Sequence, residues 1–106
     1  MITGDDLVKV CDALSHPARI KIMGILSGER QYVSELARLM NISRPLLYMH
    51  LQKLEAAGLV RGNHEISGDG KAMKYYELHD FDIRLTPGTL IEYSKTTSER
   101  KEQPQR

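Results

Sequence analysis

Cysteine, long apolar runs and an excess of charge of one sign are all scarce in this 106-residue chain. A single cysteine, Cys11, excludes a disulfide within the chain and fits a reducing cytoplasm. No stretch approaches the about 20 apolar residues of a membrane span, and we expect no secretory signal. Hydrophobic residues make up 41% of the chain, which suits one folded domain with a modest core. We therefore expect a small cytoplasmic protein without a membrane anchor.

Residues 33–59 have the pattern of two short helices joined by a tight turn. The first helix carries a one-sided apolar group made up of Leu36, Ala37, Leu39 and Met40. Residues 41–43 interrupt it, and Ser43 is a good N-cap for a second helix in which Pro45 fits the first turn. The second helix has one apolar stripe at helical spacing, formed by Leu47, Leu51 and Leu54. Gly58 then suits the left-handed position that ends many helices.

A β-hairpin is predicted directly after the second helix. One strand begins at residues 59–61 and runs to about Ile66, and a second strand returns from Ala72 to Leu78. The segment between them contains an Asp-Gly pair, which favours the positive φ angles of a tight turn. A helix-turn-helix followed by a hairpin is a winged helix, so we expect a mostly α fold with a small β-hairpin (α+β). The hairpin tip would offer Lys71 and Lys74 to a phosphate backbone.

Three stretches of the chain together match one known arrangement. They are residues 13–23 (ALSHPARIKIM), which have a proline near a helix start followed by arginine and spaced aliphatics, residues 33–60, and residues 74–78 (KYYEL). In this order and spacing they resemble the opening helix, the helix-turn-helix and the end of the wing of the ArsR-type winged-helix transcriptional repressors. The resemblance covers about residues 7–78. It implies a sequence-specific regulator that binds double-stranded DNA as a homodimer on a two-fold-symmetric operator.

The resemblance also implies which surface meets the DNA. The second helix, about residues 43–57, would lie in the major groove, and the wing, about residues 60–78, on the backbone. The base-contacting face is polar in that family, whereas here Arg44 alone at the helix start can make a bidentate contact to guanine. Leu46 and Met49 can touch only thymine methyl groups. The predicted DNA contacts are Ser43, Arg44, Pro45, Leu46, Tyr48, Met49, Gln52, Lys53, Lys71 and Lys74.

Net charge gives DNA binding little support, because the chain carries only +1. Binding would have to come from where the charges lie and from doubling them in a dimer. The alternative is a winged helix that serves as a protein–protein interaction module without specific DNA binding. An apolar patch of Leu46, Tyr48 and Met49 would favour the module, whereas cations gathered on one surface favour DNA.

Amphipathic helices are predicted near both ends of the chain. The first spans residues 5–14, where Ser15 is expected to end it and to cap the following helix, and the last opens at Thr86-Pro87. Between the hairpin and this last helix, residues 81–85 alternate like a short extended segment. A chain this short cannot easily bury both terminal helices, and in the resembling family they pair across a twofold axis. The alternative is that they close over the monomer. The predicted dimer interface consists of Leu7, Val10, Cys11, Leu14, Leu90 and Ile91.

These boundaries give one winged-helix domain, residues 1–95, followed by a polar tail over residues 96–106 that we expect to be frayed. No metal or other cofactor is expected. Positions 32–34, which match the thiolate site of many ArsR-type repressors, hold no cysteine, and no histidine follows Pro87. Cys11 is interpreted as a small buried residue of the dimer helix, with a metal site between subunits as the alternative. An effector could be a small molecule or a redox change at Cys11, or be absent. No catalytic constellation is present, so we expect no enzyme.

Overall fold

The structure, a computed structural model, describes residues 2–98. Within them the chain forms five helices and three strands, which in order are α1 (Gly4–Leu14), α2 (Pro17–Gly28), β1 (Gln31–Tyr32), α3 (Val33–Met40), α4 (Arg44–Ala56), β2 (Val60–Ile66), β3 (Ala72–Leu78) and α5 (Pro87–Ser94). The predicted winged helix is confirmed, with α3 and α4 as the helix-turn-helix and β2 and β3 as the wing. No helix among the described residues is long and apolar enough to cross a membrane.

Capping side chains explain where the helices begin. Ser43 caps α4 as predicted, because its Oγ accepts the N–H of Leu46 at 3.3 Å. The cap of α2 was predicted wrongly: His16 caps it, with Nδ1 accepting the N–H of Ala18 at 3.1 Å. Pro17 must occupy the first helical turn, so the residue before it takes the N-cap position. Ser15 ends α1 as predicted, and its hydroxyl donates to the carbonyl oxygen of Asp12 at 2.7 Å.

The core lies between the first four helices and the base of the wing. The predicted stripe of α4 is confirmed, since Leu47, Leu51 and Leu54 are completely buried. In α3 the prediction holds for Leu36 and Ala37 but is wrong for Leu39, which is 45% exposed. Leu39 follows Ala37 by two residues, which is about 200° around a helix, and therefore points away from the core.

The sheet has the strand order β1-β3-β2, and both pairings are antiparallel. The predicted hairpin is confirmed, and its strands pair from Val60 with Leu78 at the base to Ile66 with Ala72 at the tip. Strand β1 was not predicted. It places Gln31 opposite Tyr76 and thereby joins the start of α3 to the wing.

Two left-handed residues fix the geometry around α4. Asn41 (φ 56°) ends α3, and its backbone N–H bonds back to that helix. Asparagine tolerates this conformation better than most residues. Gly58 (φ 77°) follows α4 as predicted and turns the chain into the first wing strand.

Residues 81–85 pair with no strand, and Phe81 and Leu85 are exposed while Ile83 packs against the core. The chain then enters α5, which packs on α1. A side chain at Gly4 would collide with the carbonyl of Tyr93 and with Thr97, so glycine permits this close approach.

The structure differs from the predicted tail at its first residues. The N–H of Gly4 donates to Oγ1 of Thr96 at 2.7 Å, and the N–H of Ser98 donates to Oδ1 of Asp5 at 2.7 Å. These bonds hold the segment against the start of α1. Residues 99–106, which make up the rest of the predicted tail, lie outside the described residues.

Candidate nucleic-acid interface

The outward face of α4 carries most of the predicted DNA contacts. Helix α4 turns its buried face to the core, and the opposite side chains are exposed, namely Arg44, Pro45, Leu46, Met49, Gln52 and Lys53. Ser43 is exposed at the N-cap, and Tyr48 is half-buried on the side that faces the wing. A helix held by one narrow stripe therefore presents a continuous surface for contact with a partner.

Arg44 lies where two grooves meet. It lines a groove of about 400 Å³ between α4 and the wing, and a second of about 550 Å³ beside the turn of the helix-turn-helix. Within residues 2–98 its guanidinium forms no ion pair and no side-chain hydrogen bond. The five donors of this group are thus available to a planar acceptor such as a guanine edge.

Lys74 was predicted to lie at the hairpin tip, and this prediction is wrong. It is half-buried inside the groove between α4 and the wing, with Nζ 5.8 Å from the ring centre of Tyr48 and 5.2 Å from that of Tyr76. Side chains of a strand alternate between faces, so Lys74 shares the inner face with Tyr76. Interaction with Tyr76 raises the pKa of Lys74, which stays a cation.

Lys71 does lie at the tip of the wing. The turn is closed by backbone hydrogen bonds between Ser67 and Lys71 (2.8 Å) and between Gly70 and Ser67 (2.9 Å). The carboxylate of Asp69 accepts from the backbone N–H of Lys71 at 3.3 Å and from the hydroxyl of Ser67. Because Asp69 is turned toward the backbone of its own loop, the ammonium group of Lys71 projects into solvent.

Two of the five cations between residues 41 and 77 form ion pairs within the protein. Arg61 pairs with Glu77 at 2.8 Å, and Lys53 pairs with Asp12 of α1 at 3.6 Å. Lys53 was predicted to contact DNA, but this pairing draws it toward the first helix. The other three cations of this stretch are Arg44, Lys71 and Lys74. Within residues 2–98, none of them has a carboxylate oxygen within 4 Å. Arg44 and Lys74 line the groove between α4 and the wing, and Lys71 is exposed at the tip of the same wing.

A polar cluster that the sequence did not reveal supports the outer face of the wing. The hydroxyl of Tyr32 donates to Oε1 of Glu65, and the guanidinium of Arg30 lies 3.5 Å from Oε2 of the same carboxylate. Arg30 also stacks 4.2 Å above the ring centre of Tyr75. The bond to Glu65 raises the pKa of Tyr32 and keeps its hydroxyl protonated. Tyr32 makes no side-chain cap for α3, so its role lies with the wing.

The predicted dimer residues divide into two groups. Leu7 and Val10 are buried within the protomer, and Leu14 is half-buried. Leu90 and Ile91 are 48% and 59% exposed in the protomer and Cys11 is exposed as well, so their burial in a dimer stays a prediction. Cys11 lies at the edge of the apolar face of α1, four residues after the buried Leu7 and one residue after the buried Val10. Among residues 2–98, histidine, cysteine and carboxylate side chains nowhere gather in a group of three that could hold a metal ion.

Known proteins share this architecture. The helix-turn-helix domain family matches residues 14–63. An uncharacterized helix-turn-helix-type transcriptional regulator of Methanocaldococcus jannaschii is 41% identical over 80 residues, which cover 76% of this chain and 83% of that protein.

Solved structures agree with this match. The homodimeric winged helix-turn-helix DNA-binding domain of a possible ArsR-family transcriptional regulator from Mycobacterium bovis is 26% identical and has a TM-score of 0.62, with 70% of this chain and 64% of that chain covered. Reduced HlyU from Vibrio cholerae is 25% identical and has a TM-score of 0.61, with 71% of this chain and 74% of that chain covered.

Proposed function

The chain belongs to the helix-turn-helix transcriptional regulators, in their ArsR-type winged form, and we propose that it acts as a homodimeric repressor on a two-fold-symmetric operator. Proteins of this family are DNA-binding regulators and not enzymes. The observation that carries the proposal is the groove lined by Arg44 and Lys74, with Lys71 at the tip of the adjoining wing. None of the three cations has a carboxylate partner among the described residues. Unpaired cations on α4 and on the wing of a nearly neutral protein suit the binding of a polyanion.

Each part of this surface has its own task. Helix α4 enters the major groove, where Arg44 forms a bidentate contact with O6 and N7 of a guanine. Leu46 and Met49 pack on thymine methyl groups, and Tyr48 and Gln52 reach a phosphate or a base edge. Lys71 at the wing tip and Lys74 inside the groove neutralise phosphates and carry no sequence information. We assign DNA binding and dimerisation to one domain, residues 1–95.

A binding-site selection from random double-stranded DNA, followed by titration of the selected fragment at low salt, tests the proposal. We expect a two-fold-symmetric sequence, and we expect Arg44→Ala to weaken binding to it. Lys21→Ala is the charge-matched control, because Lys21 is exposed on α2, which supplies none of the proposed contacts. Failure to enrich any sequence, together with equal binding by Arg44→Ala and Lys21→Ala, would contradict DNA recognition by this surface.

The homodimer is supported by exposed apolar side chains near both ends of the fold. Val8 on α1 is 45% exposed, and Leu90 and Ile91 on α5 are more exposed still. Helices α1 and α5 pack on each other, so these residues form parts of one region. A second copy of the chain would remove this apolar surface from water, at about 25 cal/mol for each Å² buried.

Sedimentation of the protein at micromolar concentration tests the dimer. We expect a dimer for the parent chain and a monomer for Leu90→Asp, because an uncompensated charge in an apolar interface is costly. Leu39→Asp is the matched control, since Leu39 is 45% exposed on α3, outside the proposed interface. Leu7 is unsuitable for this purpose because it is buried within the protomer, where an aspartate would impair folding. A monomeric parent chain would contradict the proposal.

A further inference from the structure

A buried polar junction lies where α1, α2 and α4 meet, on the side of α4 that faces away from the proposed DNA contacts. At its centre is His50 of α4, which is 7% exposed and, apart from Tyr76, is the only polar side chain buried within residues 2–98. A buried polar group must find a hydrogen-bond partner, or its desolvation destabilises the fold. The partner here is Arg19 of α2, with Nη1 3.2 Å from Nδ1 of His50.

The same guanidinium reaches the end of α1. Nε of Arg19 donates to the carbonyl oxygen of Ala13 at 2.6 Å. This carbonyl has no partner within its own helix, because the residue four positions later is Pro17, which has no N–H. The side chain of Arg19 thus provides a hydrogen bond to the terminal carbonyl of α1 and also contacts α4, the proposed recognition helix.

The chemistry of the pair determines the state of the histidine. Arginine has only donors, so Nδ1 of His50 must be the acceptor, and the ring carries its proton on Nε2. Burial, followed by the charges of His16 and Arg19, lowers the pKa of His50 and favours this neutral form. The ring of His16 lies 4.7 Å from that of His50, centre to centre, and closes the junction on its outer side.

A second link between α1 and α4 lies at the surface. Nζ of Lys53 is 3.6 Å from Oδ2 of Asp12, the residue before Ala13. Both side chains are more than half exposed, so this pair contributes little by itself. The bridge through Arg19 is the better shielded of the two.

We propose that Arg19 and His50 are positioning residues that fix the orientation of the recognition helix relative to α1. In the homodimer, to which the proposed function assigns α1, this orientation sets the separation of the two recognition helices. A dimeric helix-turn-helix protein reads two half-sites at a spacing that follows from its geometry. The junction therefore determines which half-site spacing the protein accepts, and it leaves the bases read within each half-site unchanged.

The test uses the full chain and a series of DNA fragments in which two selected half-sites are separated by increments of one base pair. We expect the parent chain to prefer one spacing. His50→Leu removes the acceptor of the Arg19–His50 hydrogen bond, and Arg19→Lys removes the guanidinium that donates it. Each variant should lower the preference for one spacing by about tenfold, which is the effect of one hydrogen bond to a charged group. The bases preferred within each half-site should not change.

Two further variants separate positioning from general destabilisation. His50→Gln retains an acceptor for Arg19 and should restore the parent's spacing preference. Arg38→Lys is the control, because Arg38 is an exposed arginine of α3 that pairs with Glu35 of its own helix. Parent-like spacing preference in both His50→Leu and Arg19→Lys, with folding verified by thermal unfolding, would overturn the proposal. If His50→Leu does not fold, Arg19→Lys alone decides.

A measurement without DNA distinguishes failure of this proposal from failure of the proposed function. Spin labels on the native, exposed Cys11 of α1 and on Gln52→Cys of α4 report a distance within one protomer. Labelled chains are diluted with unlabelled ones. We expect a narrow distance distribution in the parent and a broad or shifted one in Arg19→Lys. An unchanged distribution would overturn the proposal even if the parent binds DNA, and a changed one would support it even if the parent binds none.

Discussion

The recognition helix and the wing, the two elements that carry the proposed DNA contacts, are held in place by different forces. Three leucines of α4 are completely buried in the core. In the outer wing, by contrast, no residue from 63 to 75 is buried. A two-stranded hairpin is only marginally stable in water by itself, so the outer wing depends on its backbone pairing and on polar contacts such as that of Tyr32 with Glu65.

This difference matches what each element has to do. Bases are distinguished by directional hydrogen bonds, which require the reading side chain to be held within a fraction of an ångström. Phosphates are bound mainly by charge, which depends less on exact placement. The packed element therefore suits sequence reading, and the less packed element suits backbone contact.

The largest expected effect is a difference in how much a truncation in α4 and one in the wing lower the free energy of unfolding. Leu51→Ala should lower the free energy of unfolding by about 2–5 kcal/mol, because it leaves a cavity in the core. Ile66→Ala in the wing, where Ile66 is 70% exposed, should change it by no more than about 0.5 kcal/mol. Urea denaturation of both variants measures the difference. Equal losses would show that the outer wing is packed like the core and would remove the contrast.

The next effect concerns the reading of sequence by α4. Arg44→Ala should lose about 1–3 kcal/mol of binding free energy at one guanine position in each half-site, because the bidentate contact is removed. Binding to fragments that lack this guanine should change little. Titration of the selected fragment and its single-base variants measures both. A parent-like preference in Arg44→Ala would mean that another side chain reads the guanine.

A smaller and more uniform effect is expected at the wing tip. Lys71→Ala should weaken binding to all fragments alike and lower the slope of log affinity against log salt by about one unit. Lys21→Ala on α2 should leave that slope unchanged. Titrations at several salt concentrations measure it. If Lys71→Ala instead alters base preferences, sequence reading takes place in the wing, and the division between the two elements is wrong.

The helices and wing strands could be predicted because their signals are local. The stripe of α4, the cap at Ser43 and the Asp-Gly turn each lie within a few residues of the structure that they specify. Strand β1 has no such signal, because it consists of two residues whose partners lie far along the chain in β3. The pairing of Lys53 with Asp12 is equally distant in sequence.

Two features that were predicted wrongly, the position of Lys74 and the cap of α2, did have a local signal. Lys74 and Tyr76 are two residues apart in a strand, and this spacing puts them on the same face, so the position of Lys74 in the groove was predictable. The cap at His16 was indicated by Pro17 at the next position. The alternation of the strand and the position of the proline were better guides here than residue type.

The smallest expected effect on DNA binding is that of Tyr32, which lies in β1 directly before α3 and contacts the wing. Tyr32→Phe removes the hydroxyl that donates to Glu65 and keeps the ring that lies 6.0 Å from the ring of Tyr75, centre to centre. If this bond positions the wing, its loss should weaken DNA binding by less than Lys71→Ala does, without changing base preferences. In a Lys71→Ala background the loss should vanish, because the contact that Tyr32 supports is already absent, and a double-mutant cycle measures this coupling.

Tyr93→Phe on α5 is the control, since it removes a hydroxyl that lies away from the wing. Additive losses would show that Tyr32 contacts the DNA itself, whereas a change in base preferences would show that the bond acts on α4 and that the wing and the recognition helix form a single unit.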